Sequence, residues 1–500
     1  MISRFPNFSA LALAVCLAIP RGTLFGEDWP MLGRDRTRNS VSPEKNPPLD
    51  WDVKTGRNIK WRSELGIVCL SAPVVANGLV WIGTNNGHPR DAKCTGEAGV
   101  LMCFRESDGK FLYQHVAPVQ KGPTYIWAFG GIASSPLVEG NRMWLTNTLA
   151  EILCFDIGPL QQGSGAPREL WKLDQIKTLG IYPARGMMGG GPLCSIGASY
   201  GDLIYVITAN GIGWGSDSKI IRSPDAPDLL CLNKNTGTVV WHDNSPGENI
   251  IRGEYGNPVV IEVNGHAQVI APQGDGWLRS FDALTGELIW KFDINPKSAD
   301  RRWGGSADYF MSAPVLYGGK LYIGSGQYVE HGEGPGRLCC IDPTRRGDIS
   351  LELDDGPGKG KPNPNSGEVW HFDDIGRMLC GVAIHDGLVI AAGFSGFVFC
   401  LDAKTGRQYW KHDTTSMLRE TPLIVDGKVY VADDDGFIRI FGLSSDKRVF
   451  AEIEMGDPIW GSAPVFANGV LYVTAGWFLY AIQEGQSTPP PPPEAAGAKP

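Results

Sequence analysis

Glu330, His331 and Glu333 are the residues whose types best suit metal binding, because they bring two carboxylates and an imidazole close together in sequence. They share one glycine-rich loop, so no strand or helix would hold the three side chains at fixed distances. The run Asp433-Asp434-Asp435-Gly436 matches part of a calcium loop, but Val431 stands where that pattern needs its first ligand. We therefore expect a hairpin turn at the aspartate run.

Several other kinds of chemistry are excluded by the sequence. It contains no G-x-x-x-x-G-K-[ST] phosphate-binding loop and no G-x-S-x-G nucleophile elbow. No pair of cysteines has the C-x-x-C spacing that is typical of zinc and covalent haem sites. The formal net charge of −9 argues against a nucleic-acid partner, which would require a basic surface.

The elements that would position functional residues come from an internal repeat. One phrase combines small residues, a proline, an apolar pair, a glycine-containing turn and an alternating apolar strand. It occurs eight times, at Ser71–Gly83, Ser134–Thr146, Gly190–Thr208, Gly256–Pro272, Ser312–Gly324, Cys380–Ala392, Glu420–Ala432 and Ser462–Thr474. A second phrase, with a Thr-Gly or Asp-Gly turn and a closing aromatic residue, follows, most clearly at Gly276–Trp290 and Gly396–Trp410.

Each pair of phrases predicts two successive hairpins, and four strands per unit make a propeller blade. The eighth unit ends after a third strand, Trp477–Gln483, while the missing phrase stands near the N terminus at Trp51–Leu65. An N-terminal strand would therefore complete the last blade and remove an exposed edge. The sequence predicts an all-β fold, an eight-bladed β-propeller of four-stranded antiparallel blades.

The two ends of the chain differ in composition from the repeats. Arg4 precedes the apolar run Ser9–Ile19, which is too short to span a bilayer and is typical of a signal peptide. We therefore expect export to the periplasm or cell envelope, with membrane association only if Cys16 is lipidated. The predicted divisions are a signal peptide at 1–26, an N-terminal extension at 27–48, the propeller at 49–485 and a proline-rich disordered tail at 486–500.

The cysteines follow the repeat. Five of them occupy the same position of the third predicted strand, namely Cys103, Cys154, Cys231, Cys340 and Cys400. Equivalent positions in different blades cannot pair, so these residues are interpreted as small buried hydrophobes. A vicinal disulfide between Cys339 and Cys340 stays open as an alternative.

One end of the predicted propeller carries most of the long connections. Strands alternate in direction, so the second-to-third loops and the connections between blades open on the same face. Aromatic and charged residues are concentrated there, and such residues on rigid scaffolds often bind partners. The binding candidates on this face are Trp127, Arg185, Arg301, Trp303, Glu330 and His331.

The repeat phrases resemble the pyrroloquinoline quinone (PQQ) repeat family over roughly Asp28–Gln483. That family includes periplasmic quinoprotein alcohol dehydrogenases and the propeller protein of the outer-membrane β-barrel assembly machine. The dehydrogenase resemblance implies PQQ and calcium as cofactors. Thr208-Ala209-Asn210-Gly211-Ile212-Gly213-Trp214 is similar to the family's T-G-N-x-x-x-W stretch, which implies cofactor binding by Asn210 and Trp214 and calcium binding by Asn210.

The same resemblance implies residues that this chain lacks. Gly189-Gly190-Gly191 is followed by Pro192-Leu193-Cys194, with no aromatic residue to stack on the quinone. Ile251 or Arg252 stands at the family's catalytic aspartate, and Gln273-Gly274 replaces its basic residue. Alcohol oxidation needs a base for the alcohol proton and a cation at the quinone carbonyl.

Two functions follow from this comparison. The favoured one is an exported binding or assembly scaffold of the cell envelope without dehydrogenase activity and without a cofactor. The alternative is a PQQ-dependent periplasmic alcohol dehydrogenase. We expect a monomer that binds a protein partner or a small ligand on its long-loop face.

Overall fold

A computed structural model describes residues 26–119, 130–183, 196–208, 210–212, 220–302, 304–328 and 331–488. Tight turns of the repeat join the first two strands of the blades. In the first blade, Asn77 and Gly78 both have positive φ, at 58° and 75°. Two such residues form the mirror-image turn whose twist matches that of the flanking strands. Val74–Ala76 and Leu79–Asn85 pair as a result.

Eight four-stranded antiparallel sheets follow one another along the chain, as predicted. From the innermost strand outward, blades one to four are Val74–Ala76, Leu79–Asn85, Ala98–Arg105 and Phe111–Pro118; Leu137–Glu139, Arg142–Thr146, Glu151–Asp156 and Arg168–Asp174; Ser199–Tyr200, Leu203–Ile207, Leu229–Asn233 and Val239–Asp243; and Val259–Val263, His266–Pro272, Trp277–Asp282 and Leu288–Asp293. Blades five to eight are Val315–Tyr317, Lys320–Ser325, Arg337–Ile341 and Glu368–Phe372; Ala383–His385, Leu388–Ala392, Phe397–Asp402 and Gln408–Asp413; Leu423–Val425, Lys428–Ala432, Phe437–Gly442 and Val449–Glu454; and Val465–Ala467, Val470–Ala475, Phe478–Ser487 and Arg57–Glu64.

The last blade closes the ring in the predicted way. Arg57–Glu64 pairs antiparallel with Phe478–Ser487, and Trp61 lies opposite Ala481. The N-terminal strand thereby covers an edge that would otherwise expose unpaired backbone groups.

A few elements lie outside the blade pattern. Two short helices occupy Gly158–Gln161 and Gln175–Leu179, and a 3-10 turn occupies Gly247–Asn249. Short strands at Gly347–Asp348, Glu352–Asp354 and Gly360–Pro362 belong to an insertion in the fifth blade. Within the described parts of the chain, no helix has the length and apolar character to cross a membrane.

The five predicted cysteine positions all lie in third strands and are buried. Each faces a large residue on the neighbouring strands; Cys231, for example, lies opposite Tyr205 and Trp241. All five thiols are free, and so is the thiol of the neighbouring Cys339. Burial raises the pKa of the Cys340 thiol to about 11, which is typical of an inert, packed cysteine.

Tryptophans of outermost strands fasten one blade to the next. The Trp241 indole lies against Gly286 in the Thr-Gly turn of the following blade, and its Nε1 donates to the Ala283 carbonyl at 3.1 Å. Trp61, Trp171, Trp370 and Trp410 donate in the same way to Glu106, Lys234, Ala403 and Ser444. The closing aromatic residue of the second phrase is therefore a contact between blades.

The segment Asp28–Glu44, which we name the plug segment, runs across the centre of the ring. It lies at the end of the propeller where the tight turns between the first two strands are found. It bonds to the inner strands or their flanks in all eight blades. In chain order of the blades, its contacts are Trp29 to Val75, Pro30 to Val138, Arg38 to Ile196, Arg36 to Glu262, Thr37 to Leu316, Asn39 to Ile384, Ser40 to Ile424 and Glu44 to Asn468. Val41–Ser42 also adds a parallel strand to the seventh blade. The sequence indicated only an extension here.

Gly286→Ala should destabilise the protein more than Gly265→Ala. Both glycines have a φ near 80°, so both alanines incur the left-handed backbone cost of about 1–2 kcal/mol. A Cβ at Gly286 would also lie 2.7 Å from the Trp241 ring, whereas nothing lies within 4 Å at Gly265. We expect this overlap to lower the free energy of unfolding by a further amount of about 1–3 kcal/mol. Urea unfolding measures the difference. Equal losses for the two variants would contradict the tryptophan contact.

Candidate functional site

The predicted face of long loops is present, because the second-to-third loops and the blade connections leave the sheets at the same end. We name it the loop face. Of the binding candidates, Arg301 and His331 are described, and so is Asn210 from the cofactor set. The other candidates, Trp127, Arg185, Trp214, Trp303 and Glu330, lie outside the described residues.

A pocket of about 700 Å³ opens on this face above the third and fourth blades. Aliphatic side chains form much of its wall, and charged residues stand beside them. Its lining consists of Ile212, Ile220, Ile221, Glu248, Ile250, Ile251, Asp300, Arg301, Arg302, Gly304 and Gly305. We name it the isoleucine pocket. Ile220 is 51% exposed, so apolar surface of this pocket is open to solvent.

The two arginines of the pocket have different roles. Arg301 donates to the backbone carbonyl of Asp275 at 2.8 Å and to the buried Asp293 carboxylate at 2.5 Å. It therefore braces the pocket wall. Arg302 pairs with Asp300, and its side chain is 88% exposed. Only Arg302 of these two extends a charge toward solvent, where a bound molecule could meet it.

Asn210 is fully buried, and the protein itself uses both ends of its amide. Its Oδ1 accepts from the backbone N–H of Tyr182 at 3.1 Å. Its Nδ2 donates to the Ser223 carbonyl at 3.0 Å and lies 3.4 Å from an Asp228 carboxylate oxygen. In this structure Asn210 joins three segments of the loop face.

A buried charged network underlies the pocket, and the sequence analysis did not identify it. Burial raises the pKa of both Asp228 and Glu254 well above the usual range, and the negative charges of neighbouring carboxylates raise it further. Beside them Arg279 makes a buried ion pair with Asp275 at 2.6 Å. Their positions in loops and strands gave no periodic signal that could have grouped them.

His331 belongs to an aromatic cluster. Its Nδ1 lies 2.7 Å from the Tyr309 hydroxyl, and its ring packs edge-on against Tyr328. Burial, together with the nearby Arg252 charge, lowers the pKa of His331 to about 4, so the imidazole is neutral at physiological pH. Among the residues that the structure describes, no three His, Cys, Asp or Glu side chains are grouped as metal ligands.

The described residues do not fit PQQ and calcium. Both amide atoms of Asn210 are engaged by the protein. Ile251, one of the two residues that the resemblance sets at the family's aspartate, packs in an apolar cluster with Tyr255 and Tyr309 and offers no base. Gln273, at the position of the basic residue, donates to Asp243 and accepts from Arg279.

The fold defines a class: an eight-bladed propeller whose tryptophan-containing repeats carry long loops on one face. The family profile described as outer membrane protein assembly factor BamB matches residues 160–349 and 360–451, more than half of the chain. The chain belongs to this family of PQQ-like repeat propellers.

Individual relatives are distant. The chain is 23% identical to outer membrane protein assembly factor BamB of Yersinia pestis, over 61% of this chain and 64% of that protein. It is 22% identical to quinoprotein alcohol dehydrogenase PedH of Pseudomonas putida, over 78% of this chain and 67% of the relative. The chain spans from about a fifth to about seven tenths of the length of the curated relatives that it matches.

Solved structures support the fold. Quinohemoprotein alcohol dehydrogenase from Comamonas testosteroni superposes with a TM-score of 0.62 at 12% identity, covering 93% of this chain and 82% of that one. At this identity the similarity shows the propeller architecture alone.

Asp308→Asn should stabilise the protein more at pH 7 than at pH 4. Burial raises the pKa of Asp308 to about 6, and the Gly336 N–H and nearby arginines offset this only in part. The folded state therefore keeps a proton that the unfolded chain loses between about pH 4 and 6, so stability falls as pH rises through that window. We expect a relative gain of about 1–3 kcal/mol at pH 7, measured by chemical denaturation.

Asp300→Asn is the control for this measurement. The Arg302 side chain lowers the pKa of the exposed Asp300 to about 2, so its pH dependence has the opposite sign. If Asp308→Asn changed the free energy of unfolding equally at both pH values, the assignment of a buried carboxyl with a raised pKa would be wrong.

Proposed function

We propose that this protein is an exported scaffold of the cell envelope that binds a protein partner through the isoleucine pocket and does not oxidise alcohols. The observation that carries the proposal is that Ile251, in the pocket wall, or its neighbour Arg252 stands where the resemblance to dehydrogenases sets the base. Neither an isoleucine nor a protonated arginine can accept a proton from an alcohol, whereas the half-exposed Ile220 can bury apolar surface of a partner.

The partner surface follows from the lining. An aliphatic or aromatic anchor would occupy the isoleucine wall, and an acidic group of the partner would compete with Asp300 for Arg302. A relative named as an outer membrane protein assembly factor supports a role in assembly at the envelope. The predicted signal peptide at residues 1–26 supports export.

A second candidate is a quinoprotein dehydrogenase with a relocated base. The alignment with PedH, which spans 78% of the chain, favours it. Asp228 lies beside Asn210, and one of its carboxylate oxygens has no hydrogen-bond partner among the described residues. A buried, unpaired carboxyl of this kind is a candidate acid or base.

Titration with PQQ and calcium separates the two functions. Under the scaffold proposal, calorimetry should detect no binding of PQQ or calcium at micromolar concentration, whether they are added singly or together. A dye-linked alcohol assay should show no turnover. A known quinoprotein, treated identically, controls for cofactor quality. Micromolar binding with turnover that is lost in Asp228→Asn would favour the dehydrogenase instead.

Site-specific photocrosslinking tests the partner site. A photoreactive phenylalanine analogue at Ile220 should crosslink a defined envelope protein in cells, because this side chain lies at the pocket and is half exposed. The matched control is Leu284, which is 61% exposed on a Thr-Gly turn at the opposite face. The crosslinked band should also weaken in Arg302→Glu. Equal crosslinking from both positions, or none from Ile220, would count against the proposed site.

A further inference from the structure

A second cavity lies inside the ring, apart from the isoleucine pocket. It has a volume of about 160 Å³ and lies between the plug segment and the inner ends of the blades. Polar side chains from several blades line it together with five residues of the plug segment. Its polar lining includes Arg38, Ser40, Ser312, Glu420 and Thr421.

Arg38 is a charged side chain that burial has separated from water. It is 3% exposed, and its two terminal nitrogens donate to the backbone carbonyls of Leu32 at 2.6 Å and Ile196 at 3.1 Å. No carboxylate in the described chain lies within ion-pair distance of it. The nearby Asp35 instead accepts from Thr37 and pairs with Arg34.

This arrangement is costly without a counterion. Burial lowers the pKa of Arg38 to about 10, so the guanidinium remains charged at neutral pH. Its Nε has no hydrogen-bond partner in the described residues. A buried cation is normally paired, because removing a charge from water costs several kcal/mol.

The remaining lining supplies further donors. The Ser312 hydroxyl is buried and has no partner within the described residues. Ser40 and Thr421 add two more hydroxyls to the wall. Burial raises the pKa of Glu420 to about 8, so this carboxyl is mostly protonated at pH 7 and can itself donate. The cavity therefore carries a net positive charge with hydroxyl donors around it.

We propose that this central cavity binds a small oxyanion, such as inorganic phosphate, sulfate or a short carboxylate, as the counterion of Arg38. A guanidinium with surrounding hydroxyls is the donor set that recognises such groups. The volume is similar to that of a cavity that holds benzene, so a ligand of PQQ size is excluded. The proposal does not depend on the function assigned to the loop face.

Calorimetry with inorganic phosphate, sulfate and acetate tests the site, with ionic strength held constant by sodium chloride. The wild-type protein should bind at least one of them saturably, with a matching rise in Tm. Arg38→Met should weaken that binding by about tenfold or more, because it removes a charged hydrogen bond. Arg36→Met is the control, since Arg36 lies in the same segment but is exposed and pairs with Glu262.

Sulfate and phosphate also stabilise proteins in general, without a binding site. This comparison distinguishes that effect from specific binding, because the general effect would raise Tm equally in all variants and would not saturate. If Arg38→Met does not fold, crystals of the wild-type protein soaked in selenate provide the second measurement. Anomalous density beside Arg38 would support the site. A cavity that holds only water, or equal binding by the Arg38 and Arg36 variants, would overturn the proposal.

Discussion

The contact of an outer-strand tryptophan with the turn of the next blade holds this ring together. It combines apolar burial with an indole hydrogen bond. At four junctions the turn also needs a glycine, because the ring of Trp61, Trp171, Trp241 or Trp370 occupies the space of a Cβ. The junction between the fourth and fifth blades is built differently. Trp290 is buried, its indole N–H has no partner among the described residues, and its backbone faces the inserted strand Gly347–Asp348. An insertion thus substitutes for a turn in that one junction.

Because the junctions between blades are rigid, the loops of the loop face can differ between proteins that share this fold. The quinohemoprotein dehydrogenase structure and this chain share the propeller fold, and a shared fold leaves the chemistry to the residues of the loops. Here those residues engage one another: Asn210 joins segments, Arg301 braces Asp293, and Ile251 packs with tyrosines. Among these residues, the protein itself occupies the polar groups of Asn210 and Arg301, while one carboxylate oxygen of Asp228 is left without a partner in the described residues.

The sequence predicted the blades and the ring closure because both depend on local and repeated signals. Asn77-Gly78 and similar turns require particular residue types, and the phrase at Trp51–Leu65 had no other blade to complete. The plug segment could not be predicted, since it makes scattered bonds to the backbone of many blades, mostly accepting from their N–H groups, and has no period. The network of Asp228, Glu254 and Arg279 was missed for the same reason: its members come together only after the blades are placed.

The plug segment also sets an order for folding. Asn39 bonds a residue 345 positions later, and Glu44 bonds one 424 positions later. Such distant pairings form slowly, because the closure entropy of a long loop must be overcome before any contact compensates for it. The segment synthesised first can therefore settle only when the last blade has formed. Its docking would mark completion of the ring, and until then the inner strands and the N-terminal segment remain open to chaperones and proteases.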